Sequence, residues 1–166
     1  MKIVKKIIDV FLTIIIVVSF AFIGLYLLKI TPYVVLSPSM SPGIKTGDLV
    51  FINRNFKYED VEVKDIIAFK KENTLVTHRV VEITDDGLVT KGDANQVNDE
   101  GAVKKEQFVG RNVFNIPKLG YAVRVIQTTN GKIISISIII MLFVFSFIVD
   151  KPKKEIKENK EVKEIE

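Results

Sequence analysis

Two long apolar blocks flank a more polar middle segment in this chain of 166 residues. The first block covers residues 7–28 with Asp9 as its only charge, and the second covers residues 133–149 with no charge. The hydrocarbon core of a bilayer, about 30 Å thick, is crossed by about 20 helical residues, with a range of about 17 to 25. The pattern therefore predicts two transmembrane helices. A cleaved secretory signal is the alternative for the first block, although its apolar stretch exceeds the usual length of about 7 to 15 residues.

Between these blocks, short runs rich in Val, Ile, Thr and Phe alternate with turn residues. Asp85 and Asp86, followed by Gly87, predict a tight hairpin, and residues 119–127 predict a short amphipathic helix. Because no long amphipathic helix separates the runs, we expect a mainly β protein, with a small antiparallel sheet or barrel flanked by the two transmembrane helices. Five runs predict strands, at residues 47–53, 65–70, 75–83, 87–92 and 107–116.

The distribution of lysine predicts the orientation. Lysines precede the first span and follow the second, and short lysine-rich flanks prefer the cytoplasmic side. The middle segment carries 14 Lys or Arg and 13 Asp or Glu, nearly balanced. We therefore expect a multi-pass protein of the cell membrane with its β domain outside the cytoplasm. Its predicted segments are a cytoplasmic flank and anchor at 1–29, an extracytoplasmic β-rich domain at 30–132, a second transmembrane helix at 133–149 and a charged cytoplasmic tail at 150–166.

Composition removes several classes of function. The absence of cysteine excludes a disulfide framework, a thiolate nucleophile and a cysteine-based metal site. The single histidine, His78, has no second histidine or cysteine with which to share a metal ion, so no metal is expected. The net charge of +4 comes mostly from the first membrane flank. No basic stripe with interleaved aromatic residues is present, so nucleic-acid binding is not expected.

Three polar stretches could carry chemistry, and each also has a structural interpretation. "SPSMSPG", residues 37–43, is either a connecting turn or a rigid loop that presents a serine hydroxyl, because its prolines and glycine exclude a regular helix. His78 shares a strand face with valines, which suits a structural histidine as well as a base. "TKGDANQVND", residues 90–99, holds Asp93 and Asp99 as capping residues of a turn or as acceptors for a base.

Together these stretches contain the groups that are needed to activate a serine hydroxyl as a nucleophile. A serine needs a base to take its proton, and a histidine base needs an acceptor on its other nitrogen. Ser39, His78 and an aspartate of the 90–99 loop supply these roles. A second enzyme hypothesis keeps Ser39 and uses a lysine base, Lys70 or Lys91. A non-catalytic, membrane-anchored β domain that binds a partner or assists assembly requires none of them.

The ordered series "SPSMSPG", "GDLV", "VTHRVVE" and "TKGDANQVND" resembles the type I signal peptidases. It is most similar to their endoplasmic-reticulum-type branch, also found in archaea and some Gram-positive bacteria, in which histidine replaces the lysine base. The resemblance covers roughly residues 34–116 and the amino-terminal anchor, with Pro38 where a glycine or small residue is more usual. It implies Ser39 as the nucleophile and His78 as the general base, with Asp99 orienting His78 and Asp93 holding the loop. The Ser37 hydroxyl and the Ser39 N–H would bind the oxyanion.

The resemblance also implies a function. The protein would be a membrane-bound serine endopeptidase that removes signal peptides from exported preproteins through an acyl-enzyme, without a cofactor. It would prefer small side chains one and three residues before the cut. Ser39 follows the predicted anchor by 10 residues, which keeps it within about 35 Å of the bilayer. The apolar "YVVL" at residues 33–36 fits a core strand, membrane contact or both. Expected partners are signal-peptide-bearing preproteins and the lipid bilayer, with the secretion translocon as a further candidate.

Overall fold

A computed structural model describes residues 2–149, so the predicted tail at 150–166 lies outside the described residues. Helix α1 spans Lys2–Leu27 and helix α3 spans Thr129–Val149. Both are long and apolar enough to cross a membrane. The two helices contact each other, and the Ser146 hydroxyl donates a hydrogen bond of 3.3 Å to Asp9 Oδ1. The one charged side chain of the first apolar block therefore has a polar partner on the other helix.

The segment between these helices forms one antiparallel sheet of six strands in the order β1-β2-β6-β3-β4-β5. The mainly β prediction is confirmed, and this order describes an open sheet with β1 and β5 at its edges rather than a closed barrel. Residues Asp85 and Asp86 connect β4 to β5 as a two-residue hairpin. The strands are β1 (Ile30–Val34), β2 (Leu49–Asn53), β3 (Ile66–Lys71), β4 (Thr74–Thr84), β5 (Gly87–Lys91) and β6 (Phe108–Ile116).

The sheet has an apolar cluster on each face, as alternation along its strands requires. On β3, Ile67 and Phe69 face one cluster, and Ala68 faces the other. The first cluster also contains Val61, Val80, Leu88 and Val103. The second contains Met40, Ile44, Val50 and Ile52.

Two smaller elements complete the fold between the long helices. Helix α2 spans Leu119–Gln127, the range predicted from the sequence, and a 3-10 turn covers Tyr58–Asp60. Strand β1 was not among the five predicted runs, and it pairs with β2 at the edge of the sheet. Pro32 lies within β1, where it is tolerated because an edge strand has one side without strand partners.

Candidate active site

The loop that carries Ser39 is held in place by its buried apolar residues. Met40 and Ile44 are each 2% exposed and belong to the second core cluster. Ser41 N donates to Pro38 O at 2.9 Å, and Ile44 N donates to Met40 O at 2.9 Å, which makes two consecutive turns. Ser39 precedes the buried methionine and remains half-buried. The loop therefore presents one hydroxyl from a backbone that the core anchors.

Ser39, His78 and Asp99 form a continuous chain of hydrogen bonds. His78 Nε2 lies 3.0 Å from Ser39 Oγ, and His78 Nδ1 lies 2.6 Å from Asp99 Oδ2. The carboxylate can only accept, so Nδ1 carries the proton and Nε2 accepts from the serine hydroxyl. His78 is on β4 and only 8% exposed. This arrangement leaves Nε2 able to take the Ser39 proton.

Thr90 holds Asp99 in this series of hydrogen bonds, and it is not among the residues predicted from the sequence. Its hydroxyl donates to Asp99 Oδ2 at 2.7 Å, and its carbonyl accepts from Asp99 N at 2.8 Å. Thr90 is on β5 and fully buried. Its position at the start of the motif that contains both aspartates was the one available signal, and threonine in a strand needs no such role.

Asp93 does not join the serine–histidine chain. Its two carboxylate oxygens accept from Arg79 Nε at 2.8 Å and Arg79 Nη2 at 2.7 Å. These hydrogen bonds hold the pKa of Asp93 below its ordinary value and raise the pKa of Arg79. Since Arg79 directly follows His78 on β4, the pair attaches the loop that contains both aspartates to the strand that carries the imidazole.

The same loop also contacts the backbone of Ser39. Ala94 N donates to Ser39 O at 2.8 Å. Gly92 is buried beside that oxygen, and a Cβ added at Gly92 would lie 2.6 Å from it. Glycine is therefore required by a close backbone approach. The residues flanking Asp93 thus fix the position of Ser39.

The two predicted oxyanion donors lie beside the Ser39 hydroxyl. Ser37 Oγ is 3.2 Å from Ser39 Oγ, so Pro38 does not turn the two hydroxyls apart. The backbone N–H of Ser39 donates to no other residue in the described part of the chain. Both groups are thus available near the atom that would attack a carbonyl.

The lysine alternative has no support in the side-chain contacts. Among residues 2–149, Ser39 Oγ has hydrogen-bond partners on Ser37 and His78, and none on a lysine amine. Lys70 is exposed on β3, and Lys91 lies opposite Arg79 in the β4–β5 pairing. In the same range no group of three or more His, Asp or Glu side chains could hold a metal ion.

An apolar cleft of about 570 Å³ opens onto this site. Ser37, Ser39 and His78 lie along it, with Met40 and Val50 among its apolar lining residues. One wall is the segment of residues 33–36 and the other is residues 73–77. The Ser39 hydroxyl therefore faces a space large enough for several residues of a peptide.

Several known signal peptidases are similar to this chain. A fungal signal peptidase complex catalytic subunit SEC11, from Colletotrichum graminicola, is 39% identical over 102 residues, covering 53% of this chain and 59% of the relative. Human signal peptidase complex catalytic subunit SEC11C is 37% identical over 101 residues, or 52% of each chain. Signal peptidase I W of Bacillus subtilis is 39% identical over 77 residues, covering 43% of this chain and 40% of the relative. The chain thus spans about half the length of the curated relatives it matches. The family described as "Signal peptidase, peptidase S26" matches residues 5–110, well over half of the chain, and the chain belongs to this family.

Proposed function

We propose that this protein is a membrane-anchored serine endopeptidase that cleaves signal peptides from exported preproteins. The observation that carries the proposal is the hydrogen-bonded chain from Ser39 through His78 to Asp99 beside the apolar cleft. Membership in the signal peptidase family supports the same type of reaction, which is the cleavage of a peptide bond. The hydrogen-bond partners of Ser39, His78 and Asp99 indicate the role of each residue in the reaction.

In the first half of the reaction, Ser39 Oγ attacks the scissile carbonyl carbon while His78 Nε2 removes the hydroxyl proton. The carbonyl π electrons move to the oxygen, and the Ser37 hydroxyl and Ser39 N–H stabilise the resulting oxyanion. Asp99 accepts from Nδ1 and stabilises the imidazolium as it forms. The imidazolium then protonates the leaving amine, the C–N bond breaks, and an acyl-enzyme on Ser39 remains.

In the second half, water replaces the amine. His78 Nε2 takes a proton from the water, which attacks the acyl carbon and forms a second oxyanion at the same donors. Collapse of this intermediate returns the proton to Ser39 Oγ and releases the signal peptide with a new carboxyl terminus. No step requires a metal or an organic cofactor.

The cleft suits an extended substrate. Val35 N donates to Asp48 O and Val35 O accepts from Gly47 N, both at 2.9 Å. Backbone groups of neighbouring residues in an extended strand point to opposite sides, so those of residues 34 and 36 remain for a peptide. On the other wall, residues 74–78 pair with β3 but precede the β5 pairing, which begins at Arg79. A peptide added between these edges would be bound by β-augmentation.

This binding mode accounts for the implied substrate preference. Side chains one and three residues before the cut share a face of an extended peptide. In the cleft that face would meet the apolar side that contains Met40, Ile44 and Val50, all 2% exposed or less. These residues leave room for small apolar side chains and oppose charged ones.

Membrane insertion of α1 and α3, with the β domain outside the cytoplasm, completes the proposal. Most apolar side chains of the two helices are exposed, as expected of helices that face lipid. The lysines before α1 favour a cytoplasmic amino terminus. This topology places Ser39 near the outer lipid–water boundary, where the cleavage site of a membrane-inserted signal peptide emerges. Signal-peptide-bearing preproteins are then the substrates, and the secretion translocon that delivers them is the proposed partner.

The proposal is tested with the purified full chain in detergent and a labelled preprotein. Mass spectrometry of the released amino terminus is expected to give one cut after a small residue. Ser39→Ala is expected to abolish the cut, whereas Ser41→Ala, a change in the same loop, retains it. Cleavage by Ser39→Ala at the wild-type rate would contradict the serine mechanism. A wild-type chain that binds preprotein without cutting it would instead favour the non-catalytic β domain.

A further inference from the structure

Most aliphatic residues of helix α2 point away from the protein. Gly120 is its buried residue, and Val123 is half-buried against β1. On the opposite side, Val125 is 65% exposed and Ile126 is 51% exposed. A surface helix of a globular domain normally turns its apolar face inward. The outer face is defined here as the exposed aliphatic residues of α2, which are Leu119, Ala122, Val125 and Ile126.

The helix cannot rotate to bury this outer face. A Cβ added at Gly120 would lie 2.7 Å from the carbonyl oxygens of Gly47 and Asp48, so the helix backbone packs directly on this turn. The Tyr121 ring lies over Gly47, and its hydroxyl donates to Thr46 O at 3.1 Å. These contacts fix the side of α2 that meets the sheet.

A buried carboxylate connects α2 to the nucleophile loop. Asp48 is 4% exposed, and its oxygens accept from Lys45 N at 2.9 Å and Lys118 N at 3.0 Å. Lys45 follows the Ser39 loop, and Lys118 directly precedes α2. The position of α2 is therefore linked through Asp48 to the segment that presents the nucleophile.

A tight corner joins α2 to the second apolar helix. Thr128 separates them, and its hydroxyl donates to Val125 O at 2.7 Å and accepts from Gly131 N at 3.0 Å. A Cβ at Gly131 would lie 2.0 Å from Val125 O, so the corner is closely packed. The uncharged part of α3 begins at Ile133, about 7.5 Å along the helix from Thr128 at about 1.5 Å per residue. The outer face consequently lies close to the level at which α3 would enter hydrocarbon.

The charges around α2 complement lipid phosphates. Residues 107–149 contain no Asp or Glu. The groove beside α2 is lined by Arg124 together with Leu36, which is 70% exposed. An apolar helix face bordered by cations is the composition of a helix that lies in a membrane interface. The cations nearest to α2 in the chain are Lys118, Arg124 and Lys132, whereas Arg111 on β6 pairs with Asp65.

From these observations we infer that α2 is an interfacial helix, whose outer face inserts into the lipid headgroup–acyl boundary on the side of the β domain. The inference rests on the proposed membrane insertion of α3 and not on catalysis. Since Asp48 joins α2 to the Ser39 loop, the inserted helix sets the height of the nucleophile above the bilayer. The occupant of the outer face is lipid, rather than a second copy or another protein.

Fluorescence quenching tests the lipid contact directly, because the chain contains no tryptophan. Ile126→Trp reports on the outer face. Ile83→Trp is the matched control, since Ile83 lies on β4 and is 50% exposed. The full chain is placed, one copy per disc, in phosphatidylcholine nanodiscs with bromine at known acyl depths. We expect blue-shifted Ile126→Trp emission with the strongest quenching by shallow bromine, and an unquenched control.

Two results would overturn the inference. Equal, weak quenching at both positions would mean that the outer face is in water. A blue shift at Ile126→Trp without bromine quenching would mean that protein covers it. Val125→Trp, on the same face, provides a second probe if the first variant does not fold.

An activity measurement tests the link to Ser39. Ile126→Lys and the control Ile83→Lys are compared on a bilayer-inserted preprotein and on a short water-soluble peptide that contains its cleavage site. We expect Ile126→Lys to lose activity several-fold on the preprotein and to retain it on the peptide, with both activities retained by the control. Equal loss on both substrates would contradict the positioning role. Inactivity of the wild-type chain on both substrates would refute the proposed function and leave the quenching result valid.

Discussion

At the scale of single residues, the site depends on a few oriented hydrogen-bonding groups. His78 is buried with a partner on each nitrogen, which is also how a purely structural histidine is satisfied. Its second partner distinguishes the two interpretations, because Ser39 belongs to a half-buried loop beside an open cleft. A structural role needs no such access.

Ser37 provides the first residue-scale prediction. If its hydroxyl binds the oxyanion, Ser37→Ala lowers kcat by about 10²- to 10³-fold, since such a donor contributes about 2.7 to 4 kcal/mol in the transition state. KM should change little, because the interaction forms as charge develops on the oxygen. Steady-state kinetics on a peptide substrate measure both quantities. A raised KM with normal kcat would assign Ser37 to ground-state binding instead.

Thr90 provides the second prediction at the scale of single residues. Thr90→Val keeps the shape of the side chain and removes the donor to Asp99, leaving one carboxylate oxygen with His78 alone. Hydrogen bonds to charged groups contribute about 1.5 to 3 kcal/mol, so we expect kcat to fall by roughly tenfold or more. Thr90→Ser, which keeps the hydroxyl, should recover most of this loss. Equal loss in both variants would mean that Thr90 acts by packing alone.

These residues also mark what sequence reasoning could and could not find. Motif order and chemical roles predict Ser39, His78 and an aspartate of the 90–99 loop, and the resemblance to signal peptidases selects Asp99. Folding brings these three side chains into contact. Thr90 and Asp48 were missed because a buried threonine and a turn aspartate look ordinary in sequence. Their partners are defined by burial and by long-range contacts, such as the 70 residues that separate Asp48 from Lys118.

At the scale of elements, the loop after β5 contacts both strand β4 and the Ser39 loop and connects the two. Its hold depends on the ion pair between Asp93 and Arg79, whose side chains are 20% and 34% exposed. Its backbone contact to Ser39 follows directly at Ala94. Breaking the ion pair should therefore loosen the loop without removing any group from the serine–histidine chain.

The ion pair gives a pH-dependent prediction. The pKa of Asp93 is lower in the folded protein than its ordinary value because Arg79 stabilises the charged form. Its stabilisation is complete above the unfolded pKa, near 4, and is lost as pH falls through the lowered folded pKa. Asp93→Asn should therefore lower the thermal midpoint at pH 7, by the equivalent of about 1 to 3 kcal/mol. The difference from wild type should shrink below about pH 4.

Thermal unfolding of the detergent-solubilised chain between pH 3 and pH 7 measures this difference. Asp85→Asn is the matched control, since Asp85 is an exposed carboxylate in the β4–β5 turn. A difference between Asp93→Asn and wild type that stays constant down to pH 3 would show that the charge of Asp93 is not the cause.

Most helices and strands could be predicted from the sequence, but the order of the strands in the sheet could not. Alternation and turn residues located β2 to β6, and the apolar periodicity located α2. Strand β1 was ambiguous because "YVVL" is apolar enough for core or membrane. The order β1-β2-β6-β3-β4-β5 joins strands far apart in the chain, so no local pattern determines it.

At the scale of the whole molecule, three features act together in the proposed function: the two apolar helices, helix α2 as the inferred interfacial helix, and the sheet that carries the Ser39 loop. These features are compatible with the proposed cleavage of signal peptides only if the β domain lies outside the cytoplasm. The absence of cysteine makes this testable, because a single introduced thiol is the only one in the chain. Val97 is 74% exposed in the loop between β5 and β6, and Ile3 is 76% exposed at the start of α1.

We expect a membrane-impermeant maleimide to label Val97→Cys in intact cells and to label Ile3→Cys only after permeabilisation. The physical reason is that Lys2, Lys5 and Lys6 resist translocation, whereas the nearly balanced middle segment does not. Labelling is read by mass shift on the full chain, with a permeabilised sample showing that both thiols react. If Val97→Cys were labelled only after permeabilisation, the domain would be cytoplasmic. The Ser39 hydroxyl would then be on the opposite side of the membrane from the emerging cleavage sites, and no geometry within the cleft could restore the function.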